Sequence, residues 1–279
     1  MSILMSIFLG FVQGVAEFLP ISSSGHLSIL QNLLKLDYAD QSHLFFDVLL
    51  HLGTLVSICV VYRKDIKLML HDGVHFFKGG GKNNTGGERV TPSVRTLFFI
   101  IIATLPLFIA LPFFDKIELL YYNTTFIGIA LIVTGVLLYV SDRFIVHGKK
   151  NDKTITLLDA LLVGIAQVIA LVPGLSRSGT TITAGLLQGF SREYAVRFSL
   201  LMSIPAVIGS AILSFIKAVK SGIDWSLMPA YLVGFIVAAV VGYFAIRLIK
   251  LLMEKNKFGK FSYYCWAAGL LTIILSIIL

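Results

Sequence analysis

The chain has 279 residues, 57% of them hydrophobic and only 14% charged, with a formal net charge of +8. A soluble domain carries about 25% charged residues, so a water-facing surface of this size is excluded, and the high hydrophobicity excludes a disordered chain. What remains is an all-α polytopic membrane protein.

A helix needs about 20 mostly apolar residues to cross the hydrocarbon core. Residues 2–19 run apolar, break at Leu19-Pro20-Ile21-Ser22-Ser23-Ser24-Gly25-His26, and resume over 27–34. Each arm is short for a full span, so 2–34 reads as a re-entrant helix hairpin. Such backbone is tolerated at membrane depth only where protein buries it or it lines a wet cavity. Cleavage as a signal peptide is not expected, because residues 1–20 lack a basic n-region and Glu17 stands where the apolar region should end. Spans are expected next at 44–62, 96–114 and 122–140. The connector 63–95 reads as a basic cytoplasmic loop. Its glycine-rich run 79–87 lacks the flanks and the Lys-Ser/Thr ending of a phosphate-binding loop. Residues 157–172 are again apolar, break at Pro173-Gly174-Leu175-Ser176-Arg177-Ser178-Gly179-Thr180-Thr181, and resume through Leu187, giving a second hairpin over 157–190. Spans at 196–216, 229–249 and 263–279 complete the chain. Cys59 and Cys265 lie far apart in apolar runs and fit neither a disulfide framework nor a metal site.

The two broken segments are related. A shift of 154 residues aligns Gly10 with Gly164, Gln13 with Gln167, Ala16 with Ala170, Ser22 with Ser176, Ser24 with Ser178 and Gly25 with Gly179. Each half, about 1–140 and about 155–279, then holds one re-entrant hairpin and three spans. A hairpin returns to its own side, so each half crosses an odd number of times and the second copy is inserted upside down, as an inverted-topology repeat. The cations fit this: 63–95, 141–156, 191–197 and 247–260 hold seven, four, two and five Lys/Arg. The other face receives Lys35, Lys116, Lys217 and Lys220. The positive-inside rule then places both termini and the mouth of the first hairpin outside the cell membrane. The net charge is assigned to orientation and contact with anionic membrane lipids, not to nucleic acid.

Ionisable groups at membrane depth are functional suspects. Asp159 begins a half-helix and reads as an interfacial residue favoured by the helix dipole. Asp47 and His51 are one turn apart and read first as a structural hydrogen-bonded pair, with support of the site as the alternative. Glu17, His26 and Arg177 belong to the breaks. Gln13 and Glu17, four apart, share a helix face. The hydroxyls of Ser22, Ser23, Ser24, Ser176, Ser178, Thr180 and Thr181 surround them. Arg177 offers a planar fork suited to phosphate, and the half-helices after each break present free N–H groups. The pattern points to an anion site for a phosphate-like group. In the competing reading the serines fill a tight crossing and Glu17 pairs with Arg177 as a buried strut.

These motifs resemble the undecaprenyl-diphosphate phosphatase family, the bacitracin-resistance type of integral membrane phosphatase. Its first motif, Glu/Gln-x-x-x-Glu, reads Gln13-Gly14-Val15-Ala16-Glu17 and runs on to His26; its second, Pro-Gly-x-Ser-Arg-Ser-x-x-Thr, is met from Pro173 to Thr181. The run Phe46-Asp47-Val48-Leu49-Leu50-His51-Leu52-Gly53-Thr54 is also similar. Gln13 leaves Glu17 as the sole carboxylate of the first motif. The resemblance implies hydrolysis of undecaprenyl diphosphate to the monophosphate carrier used in cell-wall synthesis. It also implies a divalent cation, Mg2+ or Ca2+, an outward-facing site, and a link to bacitracin only through the shared polyprenyl diphosphate lipid. A homodimer is left open.

On this reading Arg177 and the break N–H groups, including that of Gly174, bind the β-phosphate. Ser22, Ser24, Ser176, Ser178 and Thr181 complete an oxygen cradle, and Glu17, with Gln13 or the lipid's own phosphate oxygens, helps hold the metal. Three nucleophiles stay open: Ser23 with His26 as its base, which is favoured, His26 itself, or water. The rival from another class is a polyprenyl-phosphate flippase or other secondary transporter, because broken helices in inverted repeats are common there and fold alone does not decide.

Overall fold

The computed structural model describes residues 1–33, 42–78, 91–144, 148–221 and 224–278. Among them the chain is helical apart from turns and one isolated bridge between Lys150 and Phe190. The helices are α1 (Ile3–Phe18), α2 (Ser23–Leu33), α3 (Ser42–Val61), α4 (Arg63–Phe77), α5 (Pro92–Thr104), α6 (Leu107–Ala110), α7 (Phe114–Leu119), α8 (Thr124–Phe144), α9 (Leu157–Ile169), α10 (Arg177–Leu187), α11 (Arg192–Ser221), α12 (Met228–Glu254) and α13 (Phe261–Ile278). Five segments are long and apolar enough to cross a membrane, and the bent pair α3–α4 supplies a sixth. Large apolar side chains such as Ile109, Phe244 and Ile277 are exposed along them. The bundle turns a hydrocarbon surface outward, as a multi-pass membrane protein must.

The two broken segments fold as the helix pairs α1–α2 and α9–α10, with arms of 16, 11, 13 and 11 residues. Three boundaries differ from the sequence expectation. The span expected at 196–216 is the 30-residue α11, which continues beyond the apolar core at both ends. The stretch after α5 is broken at Pro106, whose ring removes a backbone donor. The run 92–113 still meets the span expected at 96–114, and short helical turns continue through α7 to Tyr122 before α8 begins. The third difference is the connector 63–95. Its first part is α4, turned 79° from α3, because residues 63–77 alternate apolar and basic at helical spacing. The glycine-rich run 79–87 lies outside the described residues, as does Lys35.

Packing shows a pattern of exchange. Helix α1 lies along α12 and α9 lies along α5; α3 packs on α12 and α11 on α5; α3 pairs with α11, and α8 with α13. The last crossing is close. A Cβ on Gly128 would sit 2.9 Å from the Gly269 carbonyl, and one on Gly269 would sit 2.6 Å from the Gly128 carbonyl. Small residues allow such approach where helices meet in lipid. The same exchange occurs at the breaks: a Cβ on Gly25 would meet Gly174 Cα at 3.0 Å, and one on Gly179 would meet Pro20 Cβ at 3.2 Å.

Ion pairs tie the basic end together. Arg192 Nη1 meets Asp142 Oδ1 at 2.9 Å, Arg197 pairs with Asp65, and Lys150 Nζ reaches both oxygens of Asp159 at 2.9 Å. Asp159 also accepts from the Thr156 backbone N–H while the Thr156 hydroxyl accepts from Asp159 N–H, a reciprocal cap on α9.

Candidate active site

The two breaks are built alike, because the same residues recur. In the first, the Ser22 hydroxyl accepts from Gly25 N–H at 3.2 Å and lies 3.4 Å from Ser24 Oγ, and His26 N–H donates to Ser22 O. In the second, the Ser176 hydroxyl accepts from Gly179 N–H at 3.1 Å and lies 3.2 Å from Ser178 Oγ, and Thr180 N–H donates to Ser176 O. Serine caps thus start both half-helices by satisfying donors with no intrahelical partner. Two backbone residues sit in the left-handed region here, Ser22 at φ +69° and Gly174 at φ +91°. Glycine takes that conformation freely, whereas Ser22 holds it at a cost of about 1–3 kcal/mol. The breaks are pinned from outside. Thr134 on α8 donates to Gly174 O and accepts from Ser176 N–H, both at 3.1 Å, and Ser178 Oγ donates to Leu19 O at 3.3 Å.

Where the breaks meet, Arg177 Nη2 donates to Glu17 Oε1. The other oxygen, Glu17 Oε2, accepts from Ser23 Oγ at 2.6 Å and from Gln13 Nε2 at 3.0 Å. The Glu17 side chain is 3% exposed and that of Arg177 25%, so the acid is sealed while the cation reaches open space. That space is a cavity of about 310 Å³. Its polar wall includes Glu17, Ser23, Ser24, Ser176 and Arg177, together with Asp47 and His51 from α3 and Tyr121 from the short turns after α7. Its apolar wall includes Val48, Phe114, Ile117, Leu171 and Leu175.

The sequence-derived candidates divide into three groups. Glu17, Ser23, Ser24, Ser176 and Arg177 come together on the cavity. Ser22, Ser178, Thr181 and Gly174 hold the breaks: Thr181 Oγ1 donates to Arg177 O at 2.7 Å and lies 2.6 Å from Ser199 Oγ. His26 faces elsewhere. Its Nδ1 lies 2.8 Å from Ser22 O and its Nε2 2.7 Å from Tyr264 Oη on α13. Since a carbonyl only accepts, Nδ1 carries the proton and Nε2 accepts from Tyr264. Ser23 therefore bonds to Glu17 and not to His26, the partner its spacing suggests.

Asp47 and His51, read from the sequence mainly as a structural pair, stand on the cavity wall, and Tyr121 joins them there with no sequence signal to announce it. His51 Nδ1 is 2.8 Å from the Asp47 backbone carbonyl, and the Asp47 carboxylate accepts from Gln31 Nε2 at 3.2 and 3.4 Å. The pair is thus joined by the His51 ring on the Asp47 backbone carbonyl, as the structural reading expects, and both members also line the cavity. The signal that marks them is their one-turn spacing within an otherwise apolar span.

The family model described as "Bacitracin resistance protein BacA" matches residues 6–271. A protein from Methanosphaera stadtmanae is 41% identical, with both chains covered in full. One from Carboxydothermus hydrogenoformans is 39% identical over 99% of this chain and 98% of its own. One from Alkaliphilus metalliredigens is 38% identical over the whole of both. All three are named undecaprenyl-diphosphatase. With the motif residues of both breaks gathered on one cavity and the match running nearly end to end, the chain belongs to the bacitracin resistance protein BacA family.

Proposed function

We propose that this chain is an undecaprenyl-diphosphatase that removes the terminal phosphate from undecaprenyl diphosphate, returning the monophosphate carrier for cell-wall synthesis. The observation that carries the reading is the Ser23 hydroxyl donating at 2.6 Å to a carboxylate whose other oxygen is held by Arg177. A hydroxyl beside a fixed proton acceptor and a cation is the minimum set for phosphoryl transfer. The apolar wall suits the first isoprenoid units of the lipid.

The steps come directly from these positions. The diphosphate enters with its terminal phosphate against Arg177, whose bond to Glu17 uses one of five donors. Ser23 Oγ attacks the terminal phosphorus and its proton passes to Glu17 Oε2, while the bond from that phosphorus to the bridging oxygen breaks and polyprenyl phosphate leaves. Water then cleaves the seryl phosphate, and Ser23 Oγ takes its proton back from Glu17. Arg177 stabilises the charge that develops on the phosphoryl oxygens in both steps. His26 is a positioning residue in this scheme, because it anchors Ser22 O beside the nucleophile.

A divalent cation, Mg2+ or Ca2+, is part of the proposal. Among the described residues no three His, Cys, Asp or Glu side chains come together as a metal cage. Glu17 and the buried, unpartnered Gln13 Oε1 suit an ion that arrives on the diphosphate and needs only one or two protein oxygens. When bound, it would neutralise phosphate charge.

The inverted repeat and the outward site belong to the same proposal. The exchange pattern of helix contacts and the cations gathered on one face support them. Both termini would then lie outside. The test is phosphate release from undecaprenyl diphosphate by purified protein in detergent, with acid-quench trapping of a phosphoenzyme. Phosphate release with a phosphoserine at residue 23 is expected. Absence of turnover would remove the hydrolase reading and leave a carrier.

A further inference from the structure

Outside the catalytic cavity lies a surface whose charges are sorted by the fold. Helix α4 leaves the end of α3 at 79°, so its axis lies along the membrane surface if α3 crosses the bilayer. Its inward side, Ile66, Met69 and Gly73, faces the protein, with Gly73 close to Leu97 of α5. Its two acids are engaged: Asp65 pairs with Arg197, and Asp72 accepts from the Ser93 and Thr91 hydroxyls and lies 3.1 Å from Nδ1 of His71. The Ser93 hydrogen bond holds the Asp72 carboxyl below its ordinary range, so it stays charged and bound.

At about 100° per residue, Arg63, Lys67, Lys78, His71, Lys64 and His75 fall within one arc of roughly 120°. All six are exposed. Among the described residues, none of the four Lys/Arg has a carboxylate partner. Exposed Leu70 and Val74 lie on or beside this arc and line an open hollow with His71, His75 and Lys78. An interfacial helix with apolar side chains beside uncompensated cations matches one partner by charge, the headgroups of anionic phospholipids, with Leu70 and Val74 reaching the upper acyl region.

We propose that α4 is an anionic-phospholipid binding surface at the basic end of the protein. It draws acidic lipids to the helix that continues directly from α3, the carrier of Asp47 and His51.

The probe is spin-labelled phosphatidylglycerol against spin-labelled phosphatidylcholine, added to purified full-length protein in phosphatidylcholine vesicles. Electron paramagnetic resonance reads the fraction of each held at the protein. The wild type is expected to prefer phosphatidylglycerol, with the preference fading in high salt as exposed charges are screened. One surface cation contributes about fivefold to such binding. The K64Q/K67Q/K78Q variant should therefore lose at least about fivefold of the preference, while K255Q/K257Q/K260Q, with the same change in net charge, keeps most of it. Phosphate release by both variants in phosphatidylcholine should match the wild type. No preference in the wild type, an unchanged preference in K64Q/K67Q/K78Q, or an equal loss in both variants would each overturn the proposal. None of these outcomes depends on the hydrolase reading.

Discussion

Replacing Glu17 by Gln keeps the volume of the side chain and removes its charge, and the surrounding donors determine the consequence. Three of them converge on the carboxylate: Arg177 Nη2 on Oε1, and Ser23 Oγ and Gln13 Nε2 on Oε2. A carboxamide offers one oxygen and adds two N–H donors of its own. If its oxygen faces Ser23, its NH2 points at the Arg177 guanidinium. If it faces Arg177, Ser23 loses its acceptor. In both orientations a neutral amide cannot take the serine proton. Removing a positioned proton acceptor costs about 10²- to 10⁴-fold in rate, or about 3–5 kcal/mol at 1.36 kcal/mol per tenfold. The stability cost is smaller. An abandoned buried charge costs about 3–5 kcal/mol, but Arg177 is a quarter exposed and recovers part of that from water, leaving about 1–3 kcal/mol. The assay is kcat/KM for phosphate release from undecaprenyl diphosphate, with thermal unfolding in the same detergent to show that the variant is folded. A folded Glu17→Gln protein within about threefold of wild-type kcat/KM would refute the role of Glu17 as the acceptor.

Three other outcomes rest on the same geometry. Gly174→Ala puts a Cβ 2.6 Å from Ile127 O at φ +91°, so it should destabilise the protein by about 2–5 kcal/mol, whereas Gly209→Ala meets nothing within 4 Å and should be neutral or mildly stabilising on thermal unfolding. Tyr264→Phe removes the donor to His26 Nε2 and should lower kcat by up to about tenfold at unchanged KM, as fits loss of one positioning hydrogen bond; His26→Ala should slow release without abolishing it and Ser23→Ala should abolish the phosphoenzyme, and the reverse order would make His26 the nucleophile. Chelation should stop turnover, and Gln13→Glu, which sets a second carboxylate beside Glu17, should lower the Mg2+ concentration for half-maximal activity and strengthen Mg2+ binding seen by calorimetry.

Much of the fold is legible because membrane sequences state their rules openly. The long apolar runs read as spans, and Pro20 and Pro173-Gly174 mark breaks that no continuous helix would tolerate. The features that escape a sequence reading are decided by tertiary contact. Ser23 and His26 are three residues apart and look like partners along one helix, but the left-handed Ser22 marks a sharp turn into α2, and Tyr264, far along the chain on α13, claims the imidazole. Residues 63–78 read as a basic loop because their polar and apolar side chains nearly balance, although their helical periodicity carries both a protein-facing side and a charged one. Tyr121 lies in the short helical turn 120–122 between α7 and α8, where neither span length nor periodicity gives a signal.

On the proposed repeat, the arrangement of the cavity gives a reason for the two hairpins to differ. At the offset of 154 residues, Ala16 corresponds to Ala170, Glu17 to Leu171 and Ser23 to Arg177, and all six residues line the one cavity. The matched positions of the two hairpins therefore face the same space. Had the copies stayed identical, that space would hold either two acids and two serines, which repel a diphosphate, or two cations and no proton acceptor. Glu17 and Ser23 on one hairpin with Leu171 and Arg177 on the other place acid, hydroxyl and cation together and give the lipid an apolar wall. The Glu17–Arg177 pair joins the two hairpins and, in the proposed mechanism, is also the chemical centre. In the proposed mechanism its strut role and its catalytic role are the same contact, because holding the two breaks together is what would bring the proton acceptor and the phosphate-binding cation to the same oxygen atoms.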